Sequence, residues 1–259
     1  MFKLFVLLIG FWSTSLMSAN SQTSKKTILA IVAHPDDEMA IADVLVKYGR
    51  LGYKVYVIIA TDGKYGTRVT SIPEGDSLGT IRKKESICAC SIMGIEPPIF
   101  LSIDRLDTKN GVRNYFNAHK QLRDSLIQKI PALNPDIIIT FGPDGDSHHP
   151  EHIVVGSAVT EVILQQAWIQ KYPLYYIAYT HALPGLEDIG YMDEKYINVE
   201  ISYSAEDELK GLAANKCYVS QQTQSEMQAD HESKLKDIVN KSFFRKFMIK
   251  EGKQTEFEE

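Results

Sequence analysis

A chain of 259 residues is long enough to bury a sizeable core and suits one α/β domain rather than two. Its 44% hydrophobic and 24% charged residues are ordinary for a globular protein. The net charge of −5 comes without a basic stripe, which excludes the electrostatic footprint of a nucleic-acid binder.

At the N-terminus Lys3 precedes an apolar run from Leu4 to Trp12, and Ser18 and Ala19 then offer a cleavage point. This layout predicts a secretory signal peptide over residues 1–19, followed by a linker over 20–26. The run is shorter than the roughly 20 residues a spanning helix needs. Export, periplasmic or secreted, is the expectation, and a retained N-terminal anchor is the alternative. Three cysteines predict no disulfide framework. Cys88 and Cys90, two apart in a helical stretch, read as small buried core residues, and Cys217 stands alone.

Thr27 to Ala33 reads as a buried strand, with a helix from Pro35 to Tyr48 behind it. Lys54 to Thr61 is a second strand, followed by a Gly-rich loop and a helix over Leu78 to Met93. Ile99 to Ser102 is a short strand, Tyr115 to Ile130 a helix ending before Pro131, and Ile137 to Phe141 another buried strand. A helix from Pro150 to about Gln170 precedes late strands at Leu174 to Thr180 and Ile197 to Ile201, with Glu206 to Cys217 helical. Alternating strands and helices predict a Rossmann-like α/β sandwich of three layers, its mostly parallel sheet covered on both faces. The domain spans 27–222, and 223–259 reads as a helical or partly disordered tail.

In such a sheet, ligands sit beyond the carboxyl ends of the strands. Two polar clusters fall there: His34-Pro35-Asp36-Asp37-Glu38 after the first strand, and Asp144 to His152 after Ile137 to Phe141. His34 and Asp37 are three apart, as are His149 and His152, so each pair can share one side of a first helical turn. Two histidines and one aspartate can then meet across neighbouring strand ends. Nitrogen and oxygen ligands of that kind suit Zn²⁺, with a position left for water. Asp36, beside a ligand, is the candidate general base, and His149 would stabilise an oxyanion or protonate a leaving amine. The plainer reading makes Asp36, Asp37 and Glu38 complements to a helix dipole.

These residues carry a resemblance. Ala33 to Glu38, together with His149-Pro150-Glu151-His152, resembles the LmbE-like (PIG-L) family of zinc-dependent N-acetylglucosaminyl deacetylases. The likeness continues at Thr61-Asp62-Gly63, at Leu78-Gly79 with Arg82 and Glu85, and at Ser220-Gln221. It implies zinc ligands at His34, Asp37 and His152, a general base at Asp36, and an oxyanion partner at His149. It also implies substrate contacts at Arg82 and Asp104, and removal of an acetyl group from an N-acetylated sugar. The His-His-Asp set could also take Fe²⁺ in the cell. Glu151 stands where Asp is more usual, Tyr218 where His is frequent, and Ser147 where some members carry an acidic Tyr.

Two rival readings remain. Gly75-Asp76-Ser77-Leu78-Gly79 matches the signature of GDSL serine esterases, although a nucleophile elbow needs a strand directly before the serine. A catalytically silent sugar-binding protein of the same fold is the other.

Overall fold

The computed structural model describes residues 25–180, 189–236 and 238–257. The expected signal peptide lies outside them. A seven-stranded sheet runs in the order β3-β2-β1-β4-β5-β7-β6. Its first five strands in the chain are parallel: β1 (Thr27–Val32), β2 (Lys54–Thr61), β3 (Ile99–Ile103), β4 (Ile137–Thr140) and β5 (Leu174–Ala178). All six residues of β1 are buried, as a central strand covered on both faces requires. Helices α1 (Ala42–Arg50) and α2 (Asp76–Met93) pack with α6 (Ala205–Asn215), while α3 (Val112–Leu133) packs with α5 (Pro150–Gln165). The expected α/β architecture, a mostly parallel sheet with helices around it, is what the structure has.

Connectivity decides where a site can form. The chain steps from β1 to β2 to β3 on one side, then returns to lay β4 on the other side of β1. The crevice between the ends of β1 and β4 is therefore the topological switch point, where loops diverge and leave an opening. Both polar clusters leave the sheet there.

Several elements differ from expectation. The residues after His34 form no helix at once; a 3₁₀ turn over Asp37–Ile41 intervenes before α1. Helix α3 runs through Pro131, because a proline two residues from the end removes only one late hydrogen bond, and Asn134 then closes the helix at φ 43°. The tail is more than helical. After α7 (Gln224–Lys236), residues 241–246 form β7, which pairs antiparallel with β5 and with β6 (Val199–Ser202). Phe244 from β7 enters the core.

The cysteine reading is corrected. Cys88 on α2 and Cys217 just after α6 form a disulfide, with Cα atoms 6.0 Å apart. Only Cys90 is a buried core cysteine, as expected. Spacing cannot reveal a bridge between positions 129 residues apart, because it depends on how α2 and α6 pack. A cross-link closing so long a loop removes much unfolded-chain entropy, about 5 kcal/mol on the entropic account. The Cys88→Ser/Cys217→Ser double variant should accordingly lose about 2–5 kcal/mol in urea unfolding; a loss below about 1 kcal/mol would show that the bridge contributes little.

Candidate metal and hydrolytic site

The first half of the site is built by a backbone that turns rather than coils. Asp36 has φ 107°, a left-handed conformation that costs a non-glycine residue of order 1–3 kcal/mol. Local bonds hold it there. Its N–H donates to Glu38 Oε2 at 3.1 Å, and its carbonyl accepts from Met39 N at 2.9 Å. Arg82, reaching over from α2, donates to Pro35 O at 2.6 Å and sits 3.1 Å from Asp36 Oδ1. Its other amino group donates to Gly63 O at 2.8 Å. Gly63 has φ +64°, and a Cβ there would lie 2.3 Å from that guanidinium, so the loop after β2 needs glycine to admit Arg82.

The second half comes from β4. After Phe141 the chain makes one irregular turn, α4 (Gly145–His148), with Asp146 and His148 both at positive φ. His149 then caps α5, its Nδ1 accepting from Glu151 N at 3.3 Å, and Pro150 takes the first helical position as expected. Gly156, one turn past His152, lets α5 press against the end of β4: a Cβ there would lie 2.5 Å from Phe141 O. The His152 ring stacks on Phe141 with centroids 4.2 Å apart.

The two halves meet at Asp37. Its Oδ2 accepts from the backbone N–H of Ala33 at 3.0 Å and of His34 at 2.7 Å, and lies 3.4 Å from His34 Nδ1. Its Oδ1 lies 3.1 Å from His152 Nε2. The ring nitrogens that face away are also held: His34 Nε2 is 2.7 Å from Glu151 Oε2, and His152 Nδ1 is 3.0 Å from Gly145 O. Imidazoles fixed in this way by outer carboxylate and carbonyl partners are the usual setting of metal-ligating histidines. The donor set His34–Asp37–His152 thus fits a cation such as Zn²⁺ or Fe²⁺. His149 also comes close, so that ligand atoms of His34, His149 and His152 lie within 4.8 Å of one another.

Burial sets the charges. Burial raises the Asp36 carboxyl to about 6, with Arg82 pulling the other way. For Asp37 burial is outweighed by His152 and His34, which hold it well below the usual range. His34 is pushed up to about 10 because Asp37 and Glu151 overcome its burial. Burial, with His34 and His152 nearby, pushes His149 down to about 4. His149 is therefore neutral near pH 7, and since its Nδ1 accepts a hydrogen bond, its proton is on Nε2.

These groups line a cavity of about 380 Å³ that also takes in Thr61, Tyr65, Arg68, Arg82, Asp104 and Gln221. Arg82 is 5% exposed at its side chain and spends its guanidinium on the protein. Asp104 stands at the rim, accepting from Tyr65 Oη at 2.9 Å and Asn110 Nδ2 at 2.9 Å, with Lys64 Nζ at 2.7 Å. Lys64 is the main cause of its lowered pKa. Ser77 is exposed in the first turn of α2 with no strand before it, so the esterase reading has no elbow. A larger cavity of about 740 Å³ lies beside α6 and α7 and gathers no histidine.

Fold and site together define an α/β protein with a His–Asp–His donor set and a half-buried carboxylate beside it at the switch point. The model of the PIG-L family, described as GlcNAc-PI de-N-acetylase, matches residues 29–163, and the chain belongs to that family. It is 29% identical over 167 residues to a 1D-myo-inositol 2-acetamido-2-deoxy-alpha-D-glucopyranoside deacetylase of Rhodococcus jostii (strain RHA1), covering 58% of this chain and 57% of the relative. The chain spans about half to two thirds of the length of the curated relatives it matches. Among solved structures, the N,N'-diacetylchitobiose deacetylase of Pyrococcus horikoshii superposes with a TM-score of 0.59 at 19% identity, over 86% of this chain and 84% of that one. GalB, a 4-carboxy-2-hydroxymuconate hydratase of Pseudomonas putida KT2440, also gives 0.59, at 16% identity over 88% and 99%. At such identities the likeness is one of fold.

Three functional features were not read from the sequence. Glu151 registered only as a departure from Asp, yet it holds His34. Arg82 was expected to meet substrate, and its bonds run to Pro35, Gly63 and Asp36. Tyr218, noted only as a departure from His, is fully buried against Glu38. The residue between two site histidines was the one available signal for Glu151. Glu151→Ala, which frees the His34 ring, should weaken divalent-metal affinity by about 10–100-fold in a competition titration with a chromogenic chelator; unchanged affinity would remove Glu151 from the site.

Proposed function

We propose that this chain is a metal-dependent amide hydrolase that removes the acetyl group from an N-acetylated sugar of the N-acetylglucosamine type. The observation that carries this reading is the contact of Asp37 with both His34 and His152, directly beside a half-buried Asp36 that lines the same cavity. His34, Asp37 and His152 would hold Zn²⁺, or Fe²⁺ in the cell. Such a cation polarises an amide carbonyl and lowers the pKa of water towards about 7.

The chain's own groups supply the rest. Arg82 holds Asp36 Oδ1, and Oδ2 has no protein partner among the described residues, so it can take the proton from an attacking water. Neutral His149, with its proton on Nε2, can donate to the oxygen that gains charge as the carbonyl is attacked. The proton on Asp36 then passes to the departing nitrogen, leaving acetate and a free amine. Asp104, ionised at the rim, is the proposed sugar contact, while Arg82 serves Asp36. The family's deacetylase relatives support this substrate class.

We further propose export. The signal-like N-terminus supports it, and so does the Cys88–Cys217 bridge, since disulfides persist mainly in oxidising compartments.

Acetate release from a panel of N-acetylated sugars tests the chemistry. Asp36→Asn should lower kcat by about 10²–10⁴-fold while metal content stays the same, and chelation should abolish turnover until Zn²⁺ is restored. Because burial raises the Asp36 pKa, the group gains its proton as pH falls through about 6. Wild-type kcat/KM should therefore show an acid limb at or below that pH, and Asp36→Asn should lack it. Full activity in both Asp36→Asn and chelated protein would sink the mechanism, as would tight sugar binding with no acetate released.

A further inference from the structure

We propose that Tyr218 is a positioning residue for Asp36, acting through Glu38 from a segment fastened to α2. The inference rests on the reading of Asp36 as the base. Tyr218 is fully buried, and its hydroxyl donates to Glu38 Oε1. Ser86 Oγ, on α2, lies 3.0 Å from the same hydroxyl and 3.3 Å from Glu38 Oε1. The other oxygen of Glu38 accepts the Asp36 N–H at 3.1 Å. The chain of contacts therefore runs from the Tyr218 phenol through one carboxylate to the backbone of the residue that sits at φ 107°.

The segment carrying Tyr218 cannot drift. On one side of Tyr218, Cys217 is bonded to Cys88 of α2. On the other, Ser220 donates from both its N–H and its hydroxyl to Glu85 of α2, at 2.8 and 2.7 Å. Gln221 Nε2 then donates to Gly66 O at 3.1 Å, next to the loop that receives Arg82. Helix α2 thus grips Asp36 twice. Arg82 holds its carboxylate directly, and the segment around Tyr218 holds its N–H through Glu38.

A hydroxyl is what this role requires. A phenylalanine would fill nearly the same volume, but it would leave Glu38 Oε1 with Ser86 alone in a buried setting. Glu38 would then be free to turn, and the N–H of a residue in an unfavourable backbone region would lose its acceptor. The Asp36 carboxylate would shift while the ligand histidines and the sugar contacts stayed where they are. Displacements of about 1 Å in a reacting group can cost about 10²-fold in rate.

The test compares wild type, Tyr218→Phe, Tyr218→His and Asp36→Asn for acetate release from an N-acetylglucosamine-bearing probe, with bound metal and Tm measured alongside. Tyr218→Phe should lower kcat by about 10–100-fold while KM stays within about twofold and metal content is unchanged. Tyr218→His, which keeps a donor, should recover part of the loss. Unchanged kcat in Tyr218→Phe would overturn the inference, and so would a loss in which KM, metal content and Tm move together. If Tyr218→Phe does not fold, the Cys88→Ser/Cys217→Ser double variant frees the same segment; its Tm falls in any case, so it is read by kcat against KM and metal content alone. Activity in Asp36→Asn would defeat the base assignment itself; an inactive Asp36→Asn beside a fully active Tyr218→Phe would defeat only the role of Tyr218.

Discussion

Asp36, Asp37 and Glu38 are three consecutive carboxyl groups that leave the end of β1 into the protein, and their charge is the constraint around which the site is arranged. An unpaired carboxylate in the interior costs several kcal/mol, so each must find countercharge, hydrogen bonds or a proton. Each finds a different answer. Asp37 takes two backbone N–H groups and lies against two histidines, which holds it ionised. Asp36 has Arg82 and remains only weakly acidic, with its pKa raised to about 6. Glu38 has neutral donors, Tyr218 and Ser86, and burial lifts it to about 7. Three like groups in a row thereby acquire three different proton affinities, the condition for dividing labour among them.

That arrangement explains why α2 matters more than its place in the outer layer suggests. Its residues Arg82, Glu85 and Ser86 face inward to site-bearing loops or to the segment after α6, and Cys88 is bonded to that segment at the surface. The helix holds the acidic turn and the loop after β2 in one register. The disulfide fastens this assembly at the protein surface, where Cys88 is exposed. Strain at Asp36 is tolerated only because the surroundings over-determine it.

The sheet, its mostly parallel character and the meeting of both clusters were legible because each signal lies within a contiguous stretch. Six buried apolar residues followed by His34, or Ile137 to Thr140 followed by the run to His152, declare a strand end and a polar loop without knowledge of the rest. Partner choice across the chain was not legible. Cys88 and Cys217 are 129 residues apart and Tyr218 and Glu38 are 180 apart, and nothing in their spacing marks them as neighbours. β7 was missed for a related reason. Lys241-Ser242-Phe243-Phe244-Arg245-Lys246 carries only two strong apolar residues, and pairing on both sides with β5 and β6 makes it a strand.

The same fold carries a hydratase as well as deacetylases, so the sheet alone leaves the reaction open. On the proposed function, what narrows it is the joint presence of a candidate donor set and a candidate base on opposite sides of one residue boundary. Asp36 and Asp37 differ by a single peptide unit, and the left-handed turn at Asp36 is what sends their side chains to different neighbours, Arg82 and the two histidines. A regular helix beginning at Pro35 would have spaced them by about 100° on one cylinder and left neither free of the other. The sugar, by contrast, would be met by the rim, where Lys64, Tyr65, Asp104 and Asn110 form a second polar network on loops rather than on the sheet. Loops of that kind can change without disturbing the carboxylates beneath them, so on the proposed function the acidic turn would constrain the reaction and the rim would choose the substrate.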